Sequence, residues 1–414
     1  MPVSIAVVGA GMRGQIYARN AVVDGRARIV AVAEPDPARR AAFAAEFDVP
    51  AEGLFEGWAE LAAVPKLADA VVIATQDHLH AGPAMAFADL GYDLLLEKPL
   101  APTEAEARQI VAAVERNGVV FAVGHVLRYT RYTKLLKSVI DGGRLGSIAS
   151  VQHLEPVGWW HQAHSFVRGQ WRRADESGPM LLTKSCHDID WLLYILGQKP
   201  QRVASFGSLV HFREENRPQG AGDRCVSCAV EPGCPYSAKR LYLGCLGDPR
   251  KEFWPLAAVT ADATERGVLA ALESGPYGKC VYATDNDVVD QQVVMMEFAG
   301  GATVSFTMTA FTPLEHRKTR VFGSHGFAEG DGKTVRVVDF RDGSEEVLDS
   351  RTVAGASAAD GHGGGDGGLT AAFIDAVEAR DQRVLGGDAA DALAGHLVVW
   401  AAERARETGT VQAL

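Results

Sequence analysis

The chain has 414 residues, of which 47% are hydrophobic and 22% are charged, and its formal net charge is −11. This length exceeds one ordinary core and predicts two domains, or one domain with a large insertion. The acidic balance, the absence of a long apolar run and the lack of an export signal argue against nucleic acid or a membrane as partner; they predict a small-molecule partner and a cytoplasmic location.

Strands and helices are predicted to alternate through the first 124 residues. The strands are apolar along their whole length, which indicates burial on both faces, as in a parallel sheet. Thr103 followed by Glu106 is a capping-box pattern that predicts the start of the last helix. We therefore predict a doubly wound Rossmann domain over residues 1–124. The predicted strands are 3–8, 28–33, 70–74, 92–96 and 119–123, and the predicted helices are 14–23, 37–47, 80–90 and 103–117.

A glycine-rich turn joins the first strand to the first helix and reads Gly9-Ala10-Gly11-Met12-Arg13-Gly14. In a dinucleotide-binding turn Gly9 permits the sharp bend, Gly11 permits close approach of the pyrophosphate, and Gly14 permits helix–strand packing. The amides of this turn, including those of Met12 and Arg13, would face the phosphates at the helix N-terminus. A plain glycine turn is the alternative.

Glu34 ends the second predicted strand, 20 residues after Gly14. An acidic side chain there would hold the ribose hydroxyls and repel a 2′-phosphate, which favours NAD over NADP. Arg39 and Arg40 follow closely and keep NADP as the alternative.

Glu97-Lys98-Pro99 follows the apolar strand that ends at Leu96. Doubly wound sheets bind ligands at the carboxyl ends of their strands. An ammonium at Lys98 could hold a substrate hydroxyl and stabilise alkoxide character as hydride leaves. A surface ion pair at a turn is the alternative.

From about residue 146 the strands become longer and alternate in polarity. We predict strands at 147–155, 201–210, 288–298, 302–310, 318–323 and 334–339, with turns such as Gly300-Gly301 and Asp342-Gly343. They indicate an α+β domain over 125–414 with an open, mostly antiparallel sheet. One free sheet face would suit a homo-oligomer, a dimer or tetramer. Residues 213–285 are predicted as a cysteine-rich insertion, and the glycine-rich stretch 361–368 as irregular.

Residues 158–172 concentrate three tryptophans, two histidines and two arginines. Aromatic faces beside polar donors suit a sugar ring, and arginine forks suit a carboxylate. We predict that His161, His164 and Arg168 contact substrate, and that Trp171 and Arg172 lie at the cofactor or substrate. A buried aromatic hairpin with solvated charges is the alternative.

Cys225, Cys228, Cys234 and Cys245 crowd into a segment with little predicted secondary structure. Such a segment gains most from a metal clip, so we predict a structural zinc site at these four residues. An iron–sulfur cluster and free or paired cysteines are the alternatives.

Together with the glycine motif, four further segments make the chain resemble the Gfo/Idh/MocA oxidoreductases. The resemblance implies that Lys98 is catalytic, that Thr75, His80 and Glu97 border the nicotinamide, and that Arg128 lies near the cofactor. The segments are Ala74-Thr75 with His80, Glu97-Lys98-Pro99, Val123-Gly124-His125 with Arg128-Tyr129, and Gly143-Arg144-Leu145-Gly146-Ser147-Ile148.

The family's second catalytic segment corresponds to Thr183-Lys184-Ser185-Cys186-His187. By the resemblance His187 is the acid/base for the substrate hydroxyl, as an imidazole that titrates near neutrality can be. Thr183 stands where the family usually has an aspartate, at the substrate. Lys184 lies on the same helical face as His187 and is predicted to substitute for that aspartate.

His362, with Asp366, resembles a segment of glycosidase-like members of the family, which makes it a candidate substrate residue; a lid or linker is the alternative. The leading expectation is an NAD-dependent oxidoreductase acting on a secondary alcohol of a sugar, cyclitol or glycoside. The second is a redox-neutral glycosidase that works through a transient keto-sugar, and the third is a non-catalytic NAD sensor.

Overall fold

The computed structural model describes residues 2–354 and 361–414, apart from the side chains of residues 361 and 362. Its first sheet is parallel and buried on both faces, because the strands are apolar at nearly every position. The strands are β1 (Val3–Val8), β2 (Ala27–Ala33), β3 (Leu54–Phe55), β4 (Ala70–Ile73), β5 (Asp93–Leu96) and β6 (Phe121–Val123). Their order in space, β3-β2-β1-β4-β5-β6, confirms the predicted Rossmann topology.

Helices connect these strands, and the last of them begins at the predicted cap. The Thr103 hydroxyl accepts the backbone N–H of Glu106 at 3.3 Å, as the capping-box pattern predicts. The short elements β3 and α3 were not predicted, because two and six residues carry too little periodicity. The helices are α1 (Met12–Val22), α2 (Pro37–Glu46), α3 (Trp58–Ala63), α4 (Ala81–Asp89) and α5 (Glu104–Asn117).

The second sheet is open and mostly antiparallel, as predicted. Its strands are β7 (Ile148–Pro156), β8 (Pro200–Ser208), β9 (Gln291–Phe298), β10 (Thr303–Thr309), β11 (Lys318–Gly323), β12 (Gly326–Gly330), β13 (Thr334–Asp339), β14 (Glu345–Asp349) and β15 (Gln412–Ala413). Their order among the described residues is β14-β13-β12-β11-β7-β10-β9-β8-β15. β10 runs parallel to β7, whereas the other neighbouring strands in this order are antiparallel.

Helices cover one face of this sheet and fill the segment between β8 and β9. The latter segment holds two small cores of its own, and its described residues add no strand to either sheet. The helices are α6 (Arg131–Asp141), α7 (Trp159–His161), α8 (Ala174–Ser177), α9 (Met180–Leu196), α10 (Ala238–Leu243), α11 (Pro249–Phe253), α12 (Glu265–Ser274), α13 (Gly365–Ala379) and α14 (Ala389–Thr408). A π-helix, Gln162–Arg168, continues α7.

The glycine-rich stretch is regular, so the prediction of irregular structure over 361–368 is wrong. A 3-10 turn, Gly361–Gly364, leads into α13, which begins at Gly365. The glycines serve close packing: a Cβ on Gly365 would stand 2.4 Å from the Val126 carbonyl oxygen, and one on Gly368 would stand 2.9 Å from Tyr129. Among the described residues, no helix combines the length and apolar character that crossing a bilayer requires.

Candidate active site

The glycine turn is shaped to receive a phosphate group. Gly9 has a φ of +93°, and a Cβ there would stand 2.7 Å from the Ala74 carbonyl oxygen. A Cβ on Gly14 would stand 2.0 Å from the Gly9 carbonyl oxygen, whereas one on Gly11 would meet nothing within 4 Å. Gly9 and Gly14 therefore close the turn, whereas Gly11 faces open space at the N-terminus of α1. This open side, with the free amides of the first helical turn, fits a dinucleotide pyrophosphate.

Glu34 lies buried at the end of β2, directly over the glycine turn. Its carboxylate accepts the backbone N–H groups of Ala10 at 2.9 Å and Asp36 at 3.1 Å. Arg39 approaches the same carboxylate at 3.3 Å. A carboxylate has about four acceptor sites, so these bonds leave capacity for ribose hydroxyls.

Arg13 and Glu97 belong to one buried polar cluster. Arg13 Nε lies 3.2 Å from Glu97, and Arg13 Nη2 donates to Tyr17 Oη at 2.7 Å and to Asp366 at 2.8 Å. The Tyr17 hydroxyl donates to Glu97, and burial raises the pKa of that hydroxyl well above its usual range. The cluster ties α1, the end of β5 and the start of α13 together at the cofactor edge.

Thr75 and His80 lie beside the loop that carries Lys98. The buried His80 ring contacts the Pro99 carbonyl oxygen at 2.8 Å and the Thr75 carbonyl oxygen at 3.2 Å, which holds the two loops together. The Thr75 hydroxyl is buried and has no hydrogen-bond partner among the described residues. An unsatisfied hydroxyl at this edge fits a site completed by a cofactor amide.

Lys98 follows β5 and reaches across to the start of α9. Its Nζ donates to the Thr183 carbonyl oxygen at 2.6 Å and lies 6.0 Å from the centre of the Trp171 ring. The Thr183 hydroxyl turns away, toward the Pro179 carbonyl oxygen at 3.4 Å. Thr183, which stands where the family usually has an aspartate, therefore contacts Lys98 through its main-chain carbonyl oxygen.

Lys184 meets a carboxylate from the second sheet. Its Nζ lies 2.9 Å from Glu155 at the end of β7, and Arg317 Nε lies 3.0 Å from the other oxygen of Glu155. Arg317 also pairs with Asp188 of α9. Sequence reasoning missed Glu155, Arg317 and Asp188, because the pairing of β7 with β11 brings them together. Lys318 stands opposite Leu154, which places the preceding Arg317 beside Glu155.

His187 is held as a neutral imidazole. Arg317 Nη2 lies 3.0 Å from His187 Nε2, and a guanidinium can only donate, so the ring proton sits on Nδ1. Burial lowers the pKa of His187 well below its usual value. Asp188 opposes this effect, whereas the cationic groups of Arg317, Lys98 and Lys184 add to it. The neutral form is the one that can accept a proton.

His161 faces the same space from α7. Desolvation lowers the pKa of its imidazole well below the usual value, and the nearby Lys184, His164 and Lys98 lower it further. Its Nδ1 contacts the Val157 carbonyl oxygen at 3.2 Å, and its ring lies edge-on to Trp254. His161 thus lies near Lys98 and Lys184.

His164 and Arg168 point instead into the segment between β8 and β9. His164 contacts the Tyr242 hydroxyl at 2.8 Å and stacks on Tyr277, and burial lowers its pKa to about 3. Arg168 donates to the Lys279 carbonyl oxygen at 2.8 Å. These contacts are structural, and neither side chain contacts Lys98 or His187 among the described residues.

Arg128, Trp171 and Arg172 make contacts that link elements. Arg128 forms a two-pronged ion pair with Asp190 of α9. Trp171 Nε1 donates to Asp77 at 3.0 Å, beside the cofactor edge, and burial raises the pKa of that carboxyl. Arg172 pairs with Asp285 at 2.8 Å. The side chain of His362 lies outside the described residues.

Three of the four predicted cysteine ligands share a cavity, and the fourth does not. Cys225, Cys228 and Cys234 line it together with Cys280. Cys245 does not line the cavity; it is buried in a small core that it shares with Cys225, and its Sγ contacts the Leu241 carbonyl oxygen at 3.2 Å.

A second group of metal-type ligands, His125, Cys186 and His396, lies buried between α9 and α14. His396 accepts the Leu100 N–H with Nε2 at 3.0 Å, and its Nδ1 lies 2.9 Å from the Ala392 carbonyl oxygen. Both ring nitrogens are therefore occupied. This group is a packed core cluster and offers His396 no lone pair for a metal.

Two family models match almost the whole chain. The first, described as "Oxidoreductase family, NAD-binding Rossmann fold", matches residues 3–125. The second, described as "Oxidoreductase family, C-terminal alpha/beta domain", matches residues 137–414. The gap between the two matches, residues 126–136, falls between β6 and β7.

Individual relatives are more distant. The oxidoreductase YteT of Bacillus subtilis is 25% identical over 64% of this chain and 60% of its own length. A 2,7-anhydro-N-acetylneuraminate hydratase of Mediterraneibacter gnavus is 26% identical over 51% of this chain and 54% of its own length. The chain thus matches little more than half the length of these relatives.

The fold is shared with solved structures over its full length. A levoglucosan dehydrogenase in complex with NADH and levoglucosan superposes with a TM-score of 0.72 at 19% identity, covering 100% of this chain and 99% of that one. With both domains matched in sequence and the architecture matched in space, the chain belongs to the Gfo/Idh/MocA family of oxidoreductases.

Proposed function

We propose that this protein is an NAD-dependent dehydrogenase of a secondary alcohol on a sugar, cyclitol or glycoside. The observation that carries the proposal is the meeting of Lys98 and α9: the ammonium bonds the Thr183 carbonyl oxygen at 2.6 Å, one helical turn before His187. The glycine turn and Glu34 lie at the same edge of the first sheet. When bound, NAD supplies the acceptor for a hydride from the carbinol carbon.

Lys98 holds the reacting oxygen in this proposal. Its ammonium is fixed by one main-chain carbonyl and keeps further N–H groups for a substrate hydroxyl. A fixed positive charge stabilises the developing alkoxide without reorganisation, which is where electrostatic catalysis is most effective.

His187 takes the hydroxyl proton on Nε2, after Arg317 releases that nitrogen. Its ion pairs with Glu155 and Asp188 would keep the Arg317 side chain in place after that release. The low pKa of His187 keeps the ring neutral before the reaction, and the loss of charge from Lys98 or the approach of an anion would raise its basicity.

The sugar-like substrate class rests on the pocket and on the relatives. His161 and the lysines offer hydrogen bonds to a ring of hydroxyls, and Trp160 and Trp254, which pack together with ring centres 5.1 Å apart, add apolar surface beside them. The similar hydratase and levoglucosan dehydrogenase are named for carbohydrate substrates.

The test is incubation with NAD and a panel of sugars, cyclitols and glycosides, with NADH absorbance as the readout. A dehydrogenase accumulates NADH with at least one substrate. The Lys98→Ala and His187→Ala variants should lose that signal, and full activity in both variants would refute the site.

A second candidate function is redox-neutral cleavage of a glycoside through a transient keto-sugar. The Lys184–Glu155 pair, 2.9 Å apart, favours it, because it adds a second acid/base pair to the one needed for hydride transfer. This activity would release aglycone from a chromogenic glycoside with NAD bound and without net NADH. The same panel therefore separates the two functions, and a non-catalytic NAD sensor would give neither signal.

We also propose assembly into a homo-oligomer through the uncovered face of the second sheet. Phe206 and Met295 stand on neighbouring strands of that face, 70% and 43% exposed. Light scattering should give a dimer or tetramer, and Phe206→Glu should dissociate it; a monomeric wild-type chain would contradict the proposal. The cytoplasmic location stays a prediction from the sequence.

A further inference from the structure

The segment between β8 and β9 contains a cavity lined by four thiols, which we call the cysteine cavity. Cys225, Cys228, Cys234 and Cys280 line it, with the buried Arg168 in its wall. None of these residues takes part in the proposed dehydrogenase chemistry.

The backbone brings Cys280 to the other three cysteines. Arg224 and Lys279 form an isolated antiparallel bridge, and Cys280 N donates to the Asp223 carbonyl oxygen at 2.8 Å. Cys280 therefore lies beside Cys225, although 54 residues separate them in the sequence. Two short 3-10 turns, Cys225–Ser227 and Glu231–Gly233, place the remaining thiols around the same space.

Main-chain amides are directed at the sulfur atoms. Gly222 N donates to Cys228 Sγ at 3.3 Å, and Ala238 N donates to Cys225 Sγ at 3.5 Å. The backbone amides of Tyr236 and Tyr282 interact with Cys234 and Cys280 in the same sense. Each thiol thus faces a backbone N–H donor. The sulfur ligands of iron–sulfur proteins accept similar hydrogen bonds, which tune the reduction potential of the cluster.

Arg168 supplies a buried positive charge at this cavity. Its side chain is 2% exposed, and Nη2 lies 3.5 Å from Cys225 Sγ and 2.9 Å from the Tyr236 carbonyl oxygen. Nη1 is buried without a hydrogen-bond partner among the described residues. A buried guanidinium without a carboxylate is costly, so this site requires an anion. A metal centre with four thiolates provides that negative charge.

The spacing of the sulfur atoms distinguishes one metal ion from a cluster. With Zn–S bonds near 2.3 Å, the thiolates around a tetrahedral zinc lie about 3.8 Å apart. In the part of the chain that the structure describes, no three of these four sulfurs lie within 4.8 Å of one another. The four thiols therefore do not form the compact set that one tetrahedral zinc ion needs, and a wider set suits a centre with several metal atoms.

We propose that Cys225, Cys228, Cys234 and Cys280 bind an iron–sulfur cluster, with Arg168 as its buried counter-charge. The zinc set predicted from the sequence, which includes Cys245, is replaced by this one. The cluster fastens the segment to the π-helix Gln162–Arg168, which continues from His161 in the substrate pocket. Its function is to position that wall of the pocket, and no electron transfer is invoked.

The first test is the metal content of the full-length protein, purified without oxygen and incubated in parallel with ferrous iron plus sulfide or with zinc. We expect about two or about four iron atoms per chain with equal acid-labile sulfide, as in Cys₄-bound clusters, and visible absorption bleached by dithionite. A finding of stoichiometric zinc and no iron would overturn the iron–sulfur cluster. A finding of neither metal would overturn the metal centre altogether.

The second test separates the ligands. Cys280→Ala and Cys225→Ala should lose most of the iron, whereas Cys245→Ala and Cys186→Ala, at buried thiols outside the cavity, should retain it. Thermal melting, with NAD binding as a check on the Rossmann domain, shows which variants remain folded. Iron retained in Cys280→Ala and lost in Cys245→Ala would contradict the ligand set.

A positioning role predicts a specific kinetic signature. Loss of the cluster should raise KM for substrate about tenfold or more and change the affinity for NAD less than twofold, because the glycine turn lies in the other domain. An unchanged substrate KM in cluster-free protein would overturn the positioning role. Iron and sulfide analysis tests the cluster even if no substrate is found, so its failure differs from failure of the proposed function.

Discussion

The cofactor edge of the first sheet and the face of α9 that meets it are built in different ways. Gly9 and Glu34 directly follow the strands β1 and β2, and Gly14 lies in the first turn of α1, so local sequence pattern sets the places of all three. Lys184 and His187 acquire their partners from Glu155 and Arg317, which arrive with two strands of the other sheet. The first region is fixed by local sequence, and the second by the register of β7 with β11.

The largest effect is expected at Lys98, which links the two regions through its bond to Thr183 of α9. Lys98→Ala should lower kcat about 10³-fold, because it removes the charge at the developing alkoxide. Affinity for NAD, measured by fluorescence titration, should change only a few-fold. Lys66→Ala, in the same domain and at the exposed Gly91 carbonyl, is the matched control and should keep full activity. A Lys98→Ala enzyme with wild-type kcat would refute the assignment of Lys98 as a catalytic residue.

Glu34→Gln tests the locally built region. The amide keeps an acceptor for the Ala10 N–H but removes the charge that repels a 2′-phosphate, and Arg39 remains beside it. The preference for NAD over NADP in kcat/KM should therefore fall about 10- to 100-fold. Asp36→Asn, an exposed neighbour, should leave the preference unchanged. An unaltered preference in Glu34→Gln would show that the selectivity lies elsewhere.

This contrast explains what the sequence could predict. The Rossmann strands, the glycine turn and Lys98 follow from patterns within a few residues of each other. The strands β7 and β11 were also predicted, but their register depends on the whole sheet. The contact between Glu155 and Arg317 therefore could not be predicted from the sequence. For the same reason Cys245 was chosen over Cys280, which only the Arg224–Lys279 bridge brings to the cavity.

Arg317→Met tests the register-dependent region through pH. His187 must be neutral to accept a proton, and Arg317 is one of the groups that lower its pKa. Burial continues to lower the pKa of His187 without Arg317, but Asp188 then acts with less opposition, so the pKa should rise and the acid limb of kcat/KM should move to higher pH. Activity should fall at acidic pH and change little at pH 8.

Arg317→Lys is the matched control, because it keeps the positive charge near His187 and should shift the limb less. Both variants should be checked by thermal melting, since Asp188 and Glu155 lose a partner in Arg317→Met. An acid limb that stays in place or moves to lower pH would contradict the role of Arg317.

The smallest effect is expected at Thr183, where the family's usual carboxylate is missing. Lys98 is held by the Thr183 carbonyl oxygen, which Thr183→Val retains, and the lost hydroxyl contacts only the Pro179 carbonyl at 3.4 Å. Valine keeps the branched shape and removes only this weakly bonded hydroxyl, so kcat and KM should stay within about threefold of wild type. Thr183→Ala provides the comparison, because it also opens a small space. A loss above tenfold in Thr183→Val would mean that the hydroxyl itself contacts substrate, and that Lys184 and Glu155 do not fill the place of the missing aspartate.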